Sequence, residues 1–264
     1  MKIKSVKKAG KQFLVILALV PGLILIIFPM YVTIVTAFKT PQESGYNFFS
    51  LPSSLYMGNF LAVLNKSNYF RYILNTSVIL VCSVIAELLI VPMAAYSIQR
   101  NNRKYYRFLY AFIVCGLFVP FQVRMVSLVQ MMSHLHLMSK LGMVFLYLAA
   151  TTPPGVFLIT GYLKSVPMEI EEAAYMDGSG YAATYFKVVF PLLKPILSTL
   201  LIKDSLFIWN DFQLPLIILN GSTKSWTLQL FQYNFKSQYS FDYNLAFASY
   251  LLVLLPVLIV YIFC

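Results

Sequence analysis

The chain of 264 residues carries only nine acidic residues, and four of them, Glu169, Glu171, Glu172 and Asp177, crowd into the run EIEEAAYMDG. Acids set beside two alanines and a glycine form a pattern suited to being gripped by another protein. Elsewhere, residues able to do chemistry are few. His134 and His136 are the two histidines, too few for a metal cluster or a His-based catalytic site. Cys82, Cys115 and Cys264 lie singly in or beside apolar runs, without metal-ligand spacing. No nucleophile is paired with a base. No phosphate-binding loop of the G-x-x-x-x-G-K-[ST] type occurs. The expectation is a chain with no catalytic residue, no metal site and no cofactor of its own.

The elements that position the acidic run are set by the bulk composition. Hydrophobic residues make up 59% of the chain and charged residues 11%, where a soluble domain carries about 25% charged residues. With a mean hydropathy of +0.75, the chain is expected to be an all-α membrane protein. A bilayer is crossed by roughly 20 apolar residues. Six stretches qualify: about 13–38, 72–98, 106–132, 139–163, 192–219 and 245–264. The N-terminus could open a signal peptide, but its apolar run exceeds the usual span of about 7–15 residues, so a retained first span is expected.

A net charge of +11 in this setting points to loops facing anionic lipid rather than to nucleic acid. Twelve Lys and Arg fall before span one, between spans two and three (Arg100, Arg103, Lys104, Arg107) and between spans four and five; six fall on the opposite side. That bias places the N-terminus, and the acidic run, in the cytoplasm. The outer loops 39–71 and 220–244 are long and aromatic, suited to a small cap or a docking surface, or to aromatics resting at the lipid interface.

Residues 164–191 read KSVPMEIEEAAYMDGSGYAATYFKVVFP. Ser165 suits an N-cap and Pro167 an early helical position. The acids fall where the helix dipole favours negative charge, and Gly178 is a natural stop. The expected helix has about ten residues, about 15 Å long at 1.5 Å per residue, followed by a second from about Tyr181 to Phe190. Alone, the first helix would be marginal in water, so something must pack on it. The alternative is an interfacial helix lying on lipid, which four acids beside an anionic leaflet oppose.

This stretch resembles the EAA loop of permease subunits in bacterial ABC importers: EAA, three residues, Gly, nine residues, Ile, one residue, Leu-Pro. Here Glu172-Ala173-Ala174 precedes Gly178 by that interval, and Val188, Val189, Phe190 and Pro191 follow Lys187. Val stands for Ile and Phe for Leu, apolar for apolar. AAYSIQR (Ala94–Arg100), YLKSVPMEIEEAAYMDG and WNDFQLPLIIL (Trp209–Leu219) narrow the likeness to the smaller, six-span permease of maltose-like carbohydrate systems. Such permeases usually continue a little past span six, whereas this sequence stops at Cys264.

The resemblance implies one permease domain over 1–264 in the bacterial inner membrane, with a coupling-helix loop at 165–191 between spans four and five. Glu171, Glu172, Ala173, Ala174, Tyr175, Met176, Asp177 and Gly178 would dock on an ATPase subunit. The partners implied are a second, different permease, two ATP-binding subunits holding ATP and Mg, an extracellular or periplasmic substrate-binding protein, and membrane lipid. Nucleic acid is not among them.

Ionisable groups inside a bilayer cost about 2.5–3.5 kcal/mol on insertion scales and should face the bundle interior or a pathway. Glu87, Arg124, Asp204, Trp209, Asn210 and Asp211 are the pathway candidates. Glu87 and Arg124 equally suit a buried ion pair that only locks helices. Asp204 and Asp211, seven apart, share a face; Lys203 and Asn210 share the next, giving a polar stripe fit to wall a passage. Lys203 and Asp204, being adjacent, are expected to diverge and find other partners. Pro153-Pro154-Gly155 is the candidate hinge. A rival reading is an ion-gradient transporter, which explains the charges but leaves the EAA spacing without a purpose. A membrane-embedded enzyme is a third.

Overall fold

A computed structural model describes residues 2–66, 68–238 and 242–263, with side chains at 19–65, 68–233 and 242–256. Cys264 and the side chains of the N-terminal lysines, Lys66 and Lys236 lie outside them. Among the described residues the chain is all-helical: α1 (Lys2–Ala37), α2 (Pro41–Tyr46), α3 (Gly58–Lys66), α4 (Tyr69–Gln99), α5 (Lys104–Cys115), α6 (Phe121–His134), α7 (Lys140–Leu163), α8 (Glu169–Met176), α9 (Tyr181–Thr184), α10 (Phe190–Leu192), α11 (Lys194–Asn210), α12 (Gln213–Leu219), α13 (Leu228–Gln238) and α14 (Tyr243–Phe263). Helix is the form that lets an apolar chain satisfy every backbone N–H and C=O internally in lipid.

Among the described residues three helical stretches are long and apolar enough to cross a membrane: Leu19–Ala37, α4 and α7. Two bent pairs raise the number to five if each counts as one span. Lys104–Phe118 and Phe121–His134 meet at 107°, and Tyr181–Leu192 and Lys194–Asn210 at 69°. The first bend falls at Pro120, which caps α6 and has no N–H to continue a helix. The second falls at Leu193, just after Pro191 and before Pro195. A π-turn, Tyr185–Val189, precedes Pro191. Widening the helix there relieves the clash of a proline ring with the carbonyl one turn back.

Two compact units are defined, residues 1–69 with 231–264, and residues 70–230. In the first, α14 packs on α1, α2 and α3. Its polar centre is Lys39, fully buried. The ammonium donates to Asn47 O at 2.8 Å, Phe48 O at 3.2 Å and Ser50 Oγ at 3.1 Å. Asn59 donates to Ala37 O and Lys39 O, both at 2.8 Å, and Asn244 to Thr36 O, Lys39 O and Ser44 Oγ at 2.8–2.9 Å. The loop after α1 is therefore wound round a buried cation and stitched by two amides, which explains how an aromatic-rich, irregular segment holds one shape.

In the second unit α7 is central, packing on α5, α11 and α12. Two apolar clusters flank it. One joins Val91, Ala95 and Tyr96 of α4 to Val156, Ile159, Leu163, Leu197 and Leu200. The other joins Ile79 and Val84 to Met143, Leu146, Tyr147, Ile208 and Leu230. Asn75 secures the segment after α12 by donating to Lys224 O at 3.0 Å and Trp226 O at 2.9 Å, and its own oxygen accepts from Lys140 Nζ at 3.0 Å.

The Pro153-Pro154-Gly155 run does not interrupt α7, which is continuous from Lys140 to Leu163. A Cβ added at Gly155 would stand 2.8 Å from Val91 Cγ1. The glycine is there for close approach of α4 and α7, so the expected hinge is a packing point. Prolines persist inside membrane helices where neighbours hold the freed backbone in place.

Replacing Lys39 by Met would leave the carbonyls of Asn47 and Phe48 without that donor. A loss of about 1–3 kcal/mol is expected, read as a lowered melting temperature of the detergent-solubilised protein.

Candidate functional site

The acidic run forms α8, eight residues long and about 12 Å at 1.5 Å per residue. It is shorter than the ten residues its sequence suggests, because the N-cap is Met168, not Ser165. The Ser165 hydroxyl instead donates to Tyr162 O at 2.7 Å and closes α7. Met168 supplies no side-chain cap; three glutamates in the first turn meet the positive end of the dipole in its place. The C-terminal stop is a Schellman motif. Gly178 N–H donates to Tyr175 O and Ser179 N–H to Ala174 O, both at 3.0 Å. Gly178 takes φ +82°, a conformation open to glycine at little cost.

Glu171 is placed differently from its neighbours. It is buried, 3% exposed. Its carboxylate accepts from Arg100 Nε at 2.7 Å and from Tyr96 OH at 2.8 Å. The same guanidinium donates to Leu163 O at 3.3 Å and Val166 O at 3.1 Å. One arginine near the end of α4 thus holds the last turn of α7, the linker after it, and α8. Glu171, expected among the docking residues, is here part of the anchor of the helix, turned away from its exposed side. A buried carboxylate stays charged only when paired and fully hydrogen-bonded. Tyr96 also packs at a tilt against Tyr181 and Tyr185, with ring centroids 5.6 Å and 5.1 Å away, so α9 joins the same cluster.

The opposite side of α8 is open. Glu172, Ala173, Met176 and Asp177 are exposed there, with Ala174 half-buried; Tyr175, one turn after Glu171, is part-exposed on the anchored side beside Tyr96. Met168, Ile170 and Tyr181 add apolar area beside them, and Met176 is 87% exposed. A short helix anchored on one face, presenting acid, alanine and large apolar side chains on the other, is built to be covered.

The intramembrane candidates do not converge on one site. Glu87 of α4 and Asp204 of α11 are each 1% exposed; Asp204, Lys203 and Thr151 are the polar groups that act on Glu87. Lys203 pairs with Asp204 itself, contrary to the divergence expected of adjacent residues. The lysine stem is long and flexible enough to curl its ammonium back to the next carboxylate. Among the described residues, the ion pairs are this one and Arg100–Glu171. Glu87 and Arg124 do not form the ion pair that would lock helices, and Arg124 Nε has no hydrogen-bond partner among the described residues.

Asp211 marks the break between α11 and α12. Its Oδ2 accepts from Tyr147 OH at 3.0 Å and its Oδ1 from Gln213 N–H at 2.9 Å. The expected face shared by Asp204 and Asp211 therefore turns toward α4 and α7, inside the unit. The next face, with Lys203 and Asn210, is the exposed one. Asn210 donates to Leu206 O at 2.9 Å along its own helix, and Trp209 is half-buried. Arg100, Tyr96 and Tyr147 are the structurally decisive residues that sequence reasoning passed over. Arg100 was visible only as one of a basic cluster.

A multi-pass helical membrane protein with an anchored, half-open short helix is a class with known members. Over residues 88–264 the chain matches the family described as binding-protein-dependent transport system inner membrane component, and it belongs to that family: it is a permease subunit of a binding-protein-dependent ABC importer. It is 43% identical to the multiple sugar-binding transport system permease protein MsmG of Streptococcus mutans, over 91% of this chain and 88% of that one. It is 36% identical to the probable starch degradation products transport system permease protein AmyC of Thermoanaerobacterium thermosulfurigenes, over 95% and 91%. Identity is 28% to the melibiose/raffinose/stachyose import permease protein MelC of Bacillus subtilis, over 89% and 85%.

Removing one partner of the Arg100–Glu171 pair strands a buried charge. Arg100→Met should destabilise the chain by about 3–5 kcal/mol. Arg100→Met combined with Glu171→Met should recover most of that loss. Thermal unfolding of the four proteins of this cycle in one detergent measures it.

Proposed function

We infer that the chain carries carbohydrate, in the range from disaccharides to short oligosaccharides, across the bacterial inner membrane. Three relatives named for sugar, starch-product and oligosaccharide transport, each aligned over most of both chains, support the substrate class. Six spans cross the membrane as one permease domain over 1–264, with the N-terminus in the cytoplasm. Loop 165–191 then lies on the cytoplasmic side between spans four and five, and α8 is its coupling helix.

The observation that carries this reading is the two-sidedness of α8: Glu171 clasped inward by Arg100 and Tyr96, and Met168, Ile170, Glu172 and Met176 turned out. An ATP-binding subunit seats on the outward side through Glu172, Ala173, Ala174, Met176, Asp177 and Gly178, with part-exposed Tyr175 beside them. ATP and Mg are held by two such subunits, and this chain hydrolyses nothing itself. A second permease completes the passage, and an external binding protein delivers the sugar. When the ATP-binding pair closes, α8 is displaced. Because Arg100 fixes it to the ends of α4 and α7, the displacement reaches those helices as rigid-body motion instead of being absorbed in a loop. The passage then alternates between inward-open and outward-open. Within it, Lys203 and Asn210 are the groups placed to meet sugar hydroxyls and the half-buried ring of Trp209 offers apolar surface, while Asp204, Glu87 and Asp211 serve the interior of the unit. Arg124 is kept as a candidate for the outer half.

Glu172→Lys reverses the charge on the seating face, and Gly178→Pro forbids the positive φ that ends α8. Either variant should insert and assemble the membrane spans normally yet lose ATP-driven sugar uptake in proteoliposomes, falling to the level seen without ATP. Uptake unchanged in both would overturn the role given to α8.

A further inference from the structure

Glu87 of α4 is 1% exposed, and neither of its carboxylate oxygens has a hydrogen-bond partner among the described residues. Asp204 of α11 is buried as deeply. Lys203 takes up its Oδ1, and its Oδ2 is left open. The two carboxyl groups face each other where α4 and α11 share an apolar cluster, close enough for one hydrogen bond to join them. Thr151 of α7, also buried, is the neutral group beside Glu87. Its hydroxyl makes only a long bond, 3.4 Å, to Leu148 O of its own helix, so it is free to turn. Gly155 brings the backbone of α7 against the same carboxyl: a Cβ added there would stand 3.6 Å from Glu87 Oε1.

Two carboxylates in such a place cannot both keep a charge. Each would need a counter-ion or a set of hydrogen-bond donors. Lys203 is the cation that acts on the pair. Arg124 of α6 pairs with neither acid, and Tyr147 and Asp211, the other ionisable groups that α7 and α11 turn inward, are bonded to each other. Two acids against one ammonium leave an excess negative charge inside a membrane-spanning bundle, with acceptor set against acceptor. A single proton removes both defects. Lys203 holds Asp204 ionised, so the proton belongs on Glu87. The Glu87 hydroxyl then donates to the open Asp204 Oδ2, and the other Glu87 oxygen accepts from Thr151.

We propose that Glu87 is held as a neutral carboxylic acid that shares its proton with Asp204, so that one hydrogen bond inside the membrane ties α4 to α11. Lys203, Asp204 and Glu87 together then carry no net charge. Glu87 is a positioning residue. The helix it sits on carries Arg100, which grips α8, and the helix it bonds exposes Asn210. In the function inferred above, the proton sets the spacing between the helix that receives the push and the one that walls the passage.

Infrared spectra of the assembled transporter in nanodiscs at neutral pH test the proton directly, because a protonated carboxylic acid has a C=O stretch that carboxylates and amides lack. The wild type should show that band, and Glu87→Gln should lose it. The Gln amide donates to Asp204 from the same place, so Glu87→Gln should keep the melting temperature. Glu87→Leu, similar in size but without a donor, should lower it by about 5 °C. A wild-type spectrum without the band, a band that survives Glu87→Gln, or equal melting of the Gln and Leu variants overturns the shared proton. So does a melting temperature that rises in sodium chloride over choline chloride at equal ionic strength, which would assign the pair to a metal cation. Where Glu87→Gln fails to fold, Thr151→Val carries the test: loss of the hydroxyl should move the band to higher frequency, and an unmoved band rejects Glu87 as its source. The spectra are taken without ATP or sugar, so their failure is distinct from a failure of uptake.

Discussion

A single arginine joins three segments at one end of the second unit. A short helix outside the membrane, attached by loops at both ends, would pivot or fray when pushed, because eight residues cannot hold a helix by themselves. Arg100 removes that freedom. Its planar fork reaches one carboxylate and two carbonyls at once, a geometry that a lysine could not reproduce. Each contact fixes a different segment: α8, the end of α7, and the linker between them. The charge-assisted bonds are short, 2.7 Å to Glu171, and side-chain exposure of 10% and 4% keeps water from screening them. The worth of such a pair is geometric more than thermodynamic, since a buried ion pair adds little net stability over a well-packed apolar substitute. What it supplies is one definite orientation for α8 relative to the ends of α4 and α7.

The same solution recurs in the first unit. Lys39 is buried without a carboxylate, yet it satisfies its three donors with two carbonyls and a hydroxyl. Asn59 and Asn244 answer carbonyls near the end of α1 that have run out of helical partners. In both units a polar side chain takes the place that a regular turn would fill in a soluble protein. That economy suits a chain whose surface is largely given over to lipid, where an unanswered carbonyl has no water to turn to.

Some of this was plain in the sequence, and the line between plain and hidden follows physical range. Local signals succeeded. Gly178 at the end of a helical run announces a positive φ, and the structure gives +82°. The apolar runs locate α4 and α7 closely, because a membrane span is a matter of composition over a contiguous window. The cap of α8 was misread because the helix starts only at Glu169, out of reach of the Ser165 oxygen as an acceptor, and the Ser165 hydroxyl donates back to Tyr162 O. The pairings were hidden. Arg100 and Glu171 are 71 positions apart, and nothing in a single sequence reports that separation. A faint signal did exist in periodicity: on an eight-residue helix, Glu171 falls on the same side as Ala174, one of the few other positions in the run that is not exposed.

The span-five acids show why helical periodicity alone cannot separate a passage from a core. Seven positions place Asp204 and Asp211 on one face, but periodicity gives no sign of which neighbours that face meets. Tyr147 meets Asp211 at 3.0 Å, and a glycine at 155 lets α4 come close enough to α7 to bring Glu87 into the same interior. A wall of a sugar passage needs the reverse: polar groups with free donors and acceptors, reachable by a hydrated solute. Lys203 and Asn210 have that exposure, Asn210 with one bond along its own helix and Lys203 with its ammonium turned to buried Asp204. Buried acids fix how the helices pack, and exposed polar groups lie one step round the helix, so one period of seven yields both a packed face and a polar one.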